Sequence, residues 1–167
     1  MEKMVIGEWE LEYDKSKTLE AYKKHKTSTE ECACQSCKNY YHASKYFSAE
    51  IRAFFENMGV DVEKPIEVYD YSTYKNGKVW YGGWYHIVGK IVKGKDIWVE
   101  THRADGDIVY HRGDMHKVAD DLEVGFTLQI YLHNDNFPDN IFQMEINFWV
   151  PWVLDDKECL KDFCTEE

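Results

Sequence analysis

The chain is poor in proline, in glycine and in positive charge. Its 3 prolines and 10 glycines among 167 residues exclude collagen-like and low-complexity classes, which use these residues in bulk. No stretch reaches the ~18 apolar residues of a membrane-spanning helix. The opening residues, Met1 to Glu8, run directly into alternating acids and lack the apolar core of a signal peptide. The sequence therefore predicts a cytoplasmic protein without a membrane partner. Lys and Arg number 20 against 31 Asp and Glu, a net charge of −11. Nucleic-acid affinity comes largely from basic side chains displacing counterions, so no nucleic-acid partner is predicted. The one basic stretch, Lys15, Lys17, Lys23, Lys24 and Lys26, has the spacing of a solvated helix face.

Hydrophobic and aromatic residues are abundant, at 44% and 16%, which excludes a disordered chain. The length suits a single domain over residues 1–167, able to bury roughly 70% of its unfolded surface. The 5 cysteines are odd in number, which argues against a closed disulfide framework, and a cytoplasmic setting keeps them reduced.

Trp9, Leu11 and Tyr13 alternate with acids, the period of a half-buried strand. Thr18 to Lys26 reads as a short helix and Ser28 to Lys38 as a cysteine-rich loop. Helical spacing then joins Tyr40, Ala43, Tyr46 and Phe47, and again Ile51, Phe54, Phe55 and Met58. Ser48 suits an N-cap and Gly59 a helix end, giving helices over about 38–46 and 49–58, or one kinked helix. Beyond Pro65 the pattern is strand. Asn76-Gly77 and Asp105-Gly106 each mark a hairpin, and Val124–Leu132 and Phe142–Val150 alternate cleanly. Asp155 or Asp156 suits the cap of a last short helix over 159–164. Short turns require antiparallel neighbours. The predicted fold is α+β: an antiparallel meander of about six to seven strands with the helical segment, about 38–58, on one face.

Two-residue turns would fix both registers. Around Asn76-Gly77, Lys75 would face Lys78, Thr73 Trp80, Tyr71 Gly82, Tyr69 Trp84 and Glu67 His86. Around Asp105-Gly106, Glu100 would face His111. Opposed side chains lie within reach of each other, so Glu67–His86 and Glu100–His111 are candidate acid–base pairs, or ordinary sheet surface. Gly82-Gly83 inside a strand marks close approach of an aromatic neighbour, or a bulge.

The strongest local signal is Cys32-Ala33-Cys34-Gln35-Ser36-Cys37, three thiols in six residues. Thiolates bind zinc at about 2.3 Å, and short spacings bring several to one ion. Cys34-x2-Cys37-x4-His42 resembles the first three ligands of a zinc knuckle. It departs at the fourth, where Phe47 stands, and the acidic chain does not suit the knuckle's nucleic-acid role. The candidate ligands are Cys32, Cys34, Cys37 and His42, with Cys159 or Cys164 as further options and zinc as the candidate cofactor. The alternatives are a reduced cysteine cluster at a helix start, or a nucleophilic Cys37 activated by the helix N-terminus. No HExxH, GxSxG, P-loop or GxGxxG is present.

The segments Cys32–Tyr40, Phe55–Val60, Gly83–Gly89 and Pro151-Trp152-Val153-Leu154 resemble an uncharacterised family of small bacterial proteins. The resemblance implies a bacterial cytosolic setting and brings no activity with it. From the residues themselves, the leading expectation is a non-catalytic, acidic protein-binding module. Its partner would be a basic protein, as for an immunity-type inhibitor of a basic toxin domain. Tyr69, Tyr71, Trp80, Trp84, Glu100 and His111 would form the binding face. The competing expectation is a zinc-binding or thiol-based enzyme centred on the cysteine cluster, and a third is a small-molecule pocket lined by Trp and Tyr.

Overall fold

The computed structural model describes residues 1–165. The fold is α+β, as the sequence predicts. A hairpin of β1 (Glu2–Ile6) and β2 (Trp9–Tyr13) leads into four helical segments: α1 (Lys15–Lys24), the single turn α2 (Ser28–Glu31), α3 (Gln35–Ser44) and α4 (Ala49–Asn57). Strands follow: β3 (Glu67–Lys75), β4 (Lys78–Lys93), β5 (Trp98–His102), β6 (Ile108–Arg112), β7 (His116–Ala119), β8 (Leu122–Thr127) and β9 (Ile141–Pro151). A 3-10 turn at Glu158–Asp162 and the two-residue β10 (Cys164–Thr165) close the described chain. No helix among the described residues is long and apolar enough to cross a membrane.

The main sheet has eight strands in the order β1-β2-β4-β9-β8-β7, with β3 also on β4 and β10 on β3. It is antiparallel except for the short β10–β3 pairing. It is not a simple meander, because β9 returns between β4 and β8. The sequence reading missed β1 and β7, treated all of 28–38 as loop, and carried β8 on to Leu132. In the structure β8 ends at Thr127 and a loop reaches β9.

The helices cover one sheet face. Tyr40 of α3 packs on Tyr81 and Phe148, with ring centroids 5.5 and 6.4 Å apart. Phe55 of α4 lies 5.1 Å from Tyr85, and Tyr22 of α1 lies 6.5 Å from the same ring. Every second residue of β4 and β9 (Val79, Tyr81, Tyr85 and Ile87; Phe142, Met144, Ile146, Phe148 and Val150) is buried, each contributing about 1.5–3 kcal/mol. Buried hydroxyls have partners: Tyr40 and Tyr85 share a 2.7 Å hydrogen bond, and Tyr85 also donates to the Val62 carbonyl. Helix starts are capped as their sequences allow. Ser48 Oγ accepts from Ile51 N at 3.2 Å, and Asp14 Oδ1 accepts from Lys17 N at 3.0 Å. Asp156 Oδ1 accepts from Glu158 N at the final turn.

Both hairpin registers depart from the sequence expectation. Asn76 and Gly77 take positive φ and Lys75 opposes Lys78, as a two-residue turn requires. Further along, Tyr74 opposes Val79 but Asp70 opposes Tyr81, so β3 carries two extra residues. Asp70 Oδ1 accepts from Ser72 N at 2.8 Å, and Ser72 turns left-handed there. Glu67 therefore opposes Trp84 rather than His86, and Tyr69 opposes Gly82. The slip is even, so Tyr69 and Tyr71 stay on the tryptophan face. Between β5 and β6 the loop is three residues long: Arg103 N donates to Asp107 O, and Gly106 has φ +93°. This is the turn-plus-bulge form of a hairpin. The register slips by one, so Glu100 opposes Tyr110 and Val99 opposes His111. The predicted Glu100–His111 pair does not form.

That β5–β6 hairpin is a separate two-stranded sheet. Its base lies over the face of the main sheet opposite the helices. Ile97 N donates to Phe126 O at 3.0 Å. A Cβ on Gly125 would lie 2.4 Å from Ile97 Cγ1, so the missing side chain admits the hairpin base.

Candidate functional site

Two polar constellations stand out, one at the start of α3 and one beneath the hairpin. In the first, Cys34 is the N-cap of α3, and its Sγ accepts from Cys37 N at 3.4 Å. Cys32 ends α2 two residues earlier, and Cys37 lies in the first turn of α3. The three Sγ atoms lie within 4.8 Å of one another. Ser28 Oγ donates to Cys37 O at 3.2 Å, which ties α2 to α3 and holds the segment in this curve.

The thiols differ in environment. Cys32 and Cys34 are exposed and Cys37 is buried. The Cys34 backbone N–H, then the Cys34 and Cys37 thiols, donate toward Cys32 and hold its pKa below the usual thiol value. Burial pushes the Cys37 thiol up, and the neighbouring Cys34 and Cys32 sulfurs add to the effect. Of the two shifted thiols, Cys32, at the end of α2, is therefore the one whose thiolate is favoured and Cys37 the one whose thiolate is disfavoured.

His42 is exposed and stands outside the close group of sulfurs. Five residues beyond Cys37, it projects well around the helix from that thiol. Cys159 and Cys164 are also outside the group. Cys159 is half-buried, and burial raises its thiol pKa. Cys164 is exposed in β10, opposite Thr73. A cavity of about 330 Å³ adjoins the cluster, and its wall includes Cys32, Cys37, Glu31, Glu67, His25 and His133.

The second constellation takes in four residues expected to form a binding face. Tyr69, Tyr71, Trp80 and Trp84 do share a face. They are half-buried rather than free. Tyr71 lies 4.5 Å from Trp80, and Tyr69 lies 6.2 Å from Trp84. Gly82 leaves room for both tyrosines, since a Cβ there would meet Tyr71 Oη at 2.5 Å. Trp80 stacks on Trp149 at 5.8 Å. Glu100 and His111 are exposed on the hairpin and do not join them. Glu100 accepts from Tyr110 Oη at 3.0 Å and pairs with His102, while His111 Nδ1 lies 3.4 Å from Thr101 Oγ1.

What holds these aromatics is Arg112, at the end of β6. Its guanidinium donates to Tyr69 Oη (2.8 Å), Tyr71 Oη (2.7 Å), Asn147 Oδ1 (2.8 Å) and Glu145 Oε2 (2.6 Å). It also lies 5.4 Å from the Trp98 ring. Glu145 accepts further from Gln143 Nε2 (2.6 Å) and Trp98 Nε1 (3.3 Å). Gln143 Oε1 reaches His86 Nε2 at 3.3 Å. Burial raises the Glu145 pKa, with Arg112 pulling the other way. Burial drives His86 down to about 4. The sequence analysis gave no role to Arg112 or to Glu145. A signal was available: Gln143, Glu145 and Asn147 are the polar half of an alternation on a strand with apolar neighbours on both sides. The network can anchor the hairpin, but its hydrogen-bonding groups are largely spent on each other.

No family model, no curated protein and no solved structure matches this chain.

Proposed function

We propose that this protein binds one thiophilic metal ion, zinc in the first instance, through Cys32, Cys34 and Cys37. The supporting observation is the mutual approach of the three sulfurs within 4.8 Å. Three thiolates tetrahedrally bound at about 2.3 Å would sit roughly 3.8 Å apart, so only a small contraction is needed. The metal would hold all three cysteines as thiolates, each bonded to the same ion. A purified sample, prepared without chelator, should carry about one zinc per chain by elemental analysis. Cobalt titration of the metal-free chain should give thiolate-to-metal charge-transfer absorption saturating at one equivalent, and replacing all three cysteines with serine should abolish it. Absence of both metal and charge-transfer absorption would overturn the reading.

A second reading has its own observation. Val99, Ile108, Tyr110, Leu128, Tyr131 and Leu132 are exposed on the hairpin and on the loop after β8, in a chain of net charge −11. Exposed aromatic and aliphatic side chains in an acidic protein suit a non-catalytic module docking on a basic protein, an immunity-type inhibitor being one form. Its test is saturable binding to a panel of basic protein domains, with an association rate that falls steeply as salt rises. No saturable binding at low salt would count against it.

A further inference from the structure

The three cysteines leave a tetrahedral ion one position short. Among the described residues, no fourth His, Cys, Asp or Glu joins the group of mutually close donors. The cluster also borders open space: Cys32 and Cys37 line the cavity of about 330 Å³ beside α2 and the start of β3. Three protein ligands with a vacant fourth position are the arrangement of a zinc centre that takes an outside ligand, whereas structural sites are closed by the chain.

The cavity wall specifies what that ligand resembles. Glu31 and Glu67 both line it. Glu67 has no ion-pair partner among the described residues, and Glu31 meets only Lys26, at 3.8 Å on the exposed side. His25 is already committed, with Nε2 at 3.1 Å from the Pro65 carbonyl and Nδ1 at 3.0 Å from Asn134 Nδ2. His133 also lines the wall, with only a 4.0 Å contact to Asp139. Two of the three less committed titratable groups there are carboxylates, which favour a cation and repel an anion. The donor set is entirely sulfur, which selects soft metals and soft partners.

Building on the metal reading, we propose that the open position faces this cavity and is filled by a low-molecular-weight aminothiol, its sulfur on the metal and its ammonium toward Glu67 and Glu31. Binding is a ligand exchange without redox change. The thiol S–H bond breaks and a sulfur–metal bond forms. The water that leaves the metal carries the proton away as hydronium, because a coordinated thiol is held as thiolate.

The test uses the full chain loaded with one equivalent of cobalt, titrated with cysteamine, 3-mercaptopropionate or ethanolamine. Cysteamine should shift the cobalt d–d and charge-transfer bands saturably. It should bind about tenfold tighter than 3-mercaptopropionate, the difference expected of one partly exposed charge interaction reversed in sign. Ethanolamine should leave the spectrum unchanged. Glu67→Gln should keep cobalt binding and erase most of the preference for cysteamine. If cobalt binds at one equivalent and no thiol alters its bands, the open position is overturned while the metal centre stands. Equal binding of the two thiols would overturn the aminothiol assignment. If no cobalt binds, the metal reading fails and this inference fails with it.

Discussion

Arg112 Nη2 lies 2.6 Å from Glu145 Oε2, and the Glu145 side chain is 0% exposed. This ion pair connects two sheets. Arg112 belongs to the β5–β6 hairpin and Glu145 to the central strand β9. Most of the hairpin beyond its base is exposed, so its docking depends on Arg112, Trp98 and Ile97.

Removing one partner of such a pair leaves a buried charge without compensation. Arg112→Ala should therefore destabilise the protein by about 3–5 kcal/mol. The loss should be accompanied by faster amide exchange over residues 98–112, with the β4–β9 core keeping its protection. The double change Arg112→Met with Glu145→Leu should recover much of the stability. Urea denaturation and hydrogen exchange measure both. A single variant as stable as the parent would show that the pair is not what anchors the hairpin.

Gly82→Ala should act on the same contact from below. The added Cβ would lie 2.5 Å from Tyr71 Oη and 2.8 Å from ring carbons of Tyr69, the two tyrosines whose hydroxyls Arg112 engages. Overpacking of this kind costs about 1–3 kcal/mol. The loss should be smaller when measured in the Arg112→Ala background, because the tyrosines are then free to move. Equal losses in both backgrounds would argue against the coupling.

The pH dependence of stability follows from His86. Its folded pKa, about 4, is below the ordinary 6.5 because burial penalises the cation. The unfolded chain therefore takes up the proton first as pH falls. This contribution is full above pH 6.5 and is lost progressively toward pH 4, a total of about 3 kcal/mol. Glu145 opposes it. Its raised carboxyl pKa means that the folded state is protonated first as pH falls toward the carboxylate range, which is stabilising there. Comparison with His86→Gln separates the two. The stability of the parent relative to this variant should fall by about 3 kcal/mol between pH 7 and pH 4. A constant difference would exclude His86 as the titrating group.

The thiols should differ in reactivity. In the metal-free chain near neutral pH, Cys32 should alkylate first, being exposed with a lowered pKa. Cys37, buried with a raised pKa, should react last. One equivalent of zinc should protect Cys32, Cys34 and Cys37 while the exposed Cys164 still reacts. Peptide mapping after brief iodoacetamide treatment reports the order, and early labelling of Cys37 would contradict the geometry.

The fold class, the helices around Tyr40 and Phe55, most of the main strands and the closeness of the three cysteines were legible in the amino-acid pattern. These depend on interactions between near neighbours: helical spacing, period-two alternation, the Ser48 cap, and thiols only two and three residues apart. Tertiary structure decided the rest. A side-chain turn at Asp70 moved Glu67 away from His86, and one extra loop residue before Asp107 exchanged Glu100–His111 for Glu100–Tyr110. That same slip aligned Arg112 with Trp98 and brought it onto Glu145. Side-chain facing in a strand repeats every two residues, so a one-residue change in loop length turns every following side chain over, and only the folded hairpin reveals which loop was adopted. The meeting of Arg112 with Glu145, 33 positions apart, and the cavity beside Cys32 depend on how distant strands and loops pack, which local pattern does not encode.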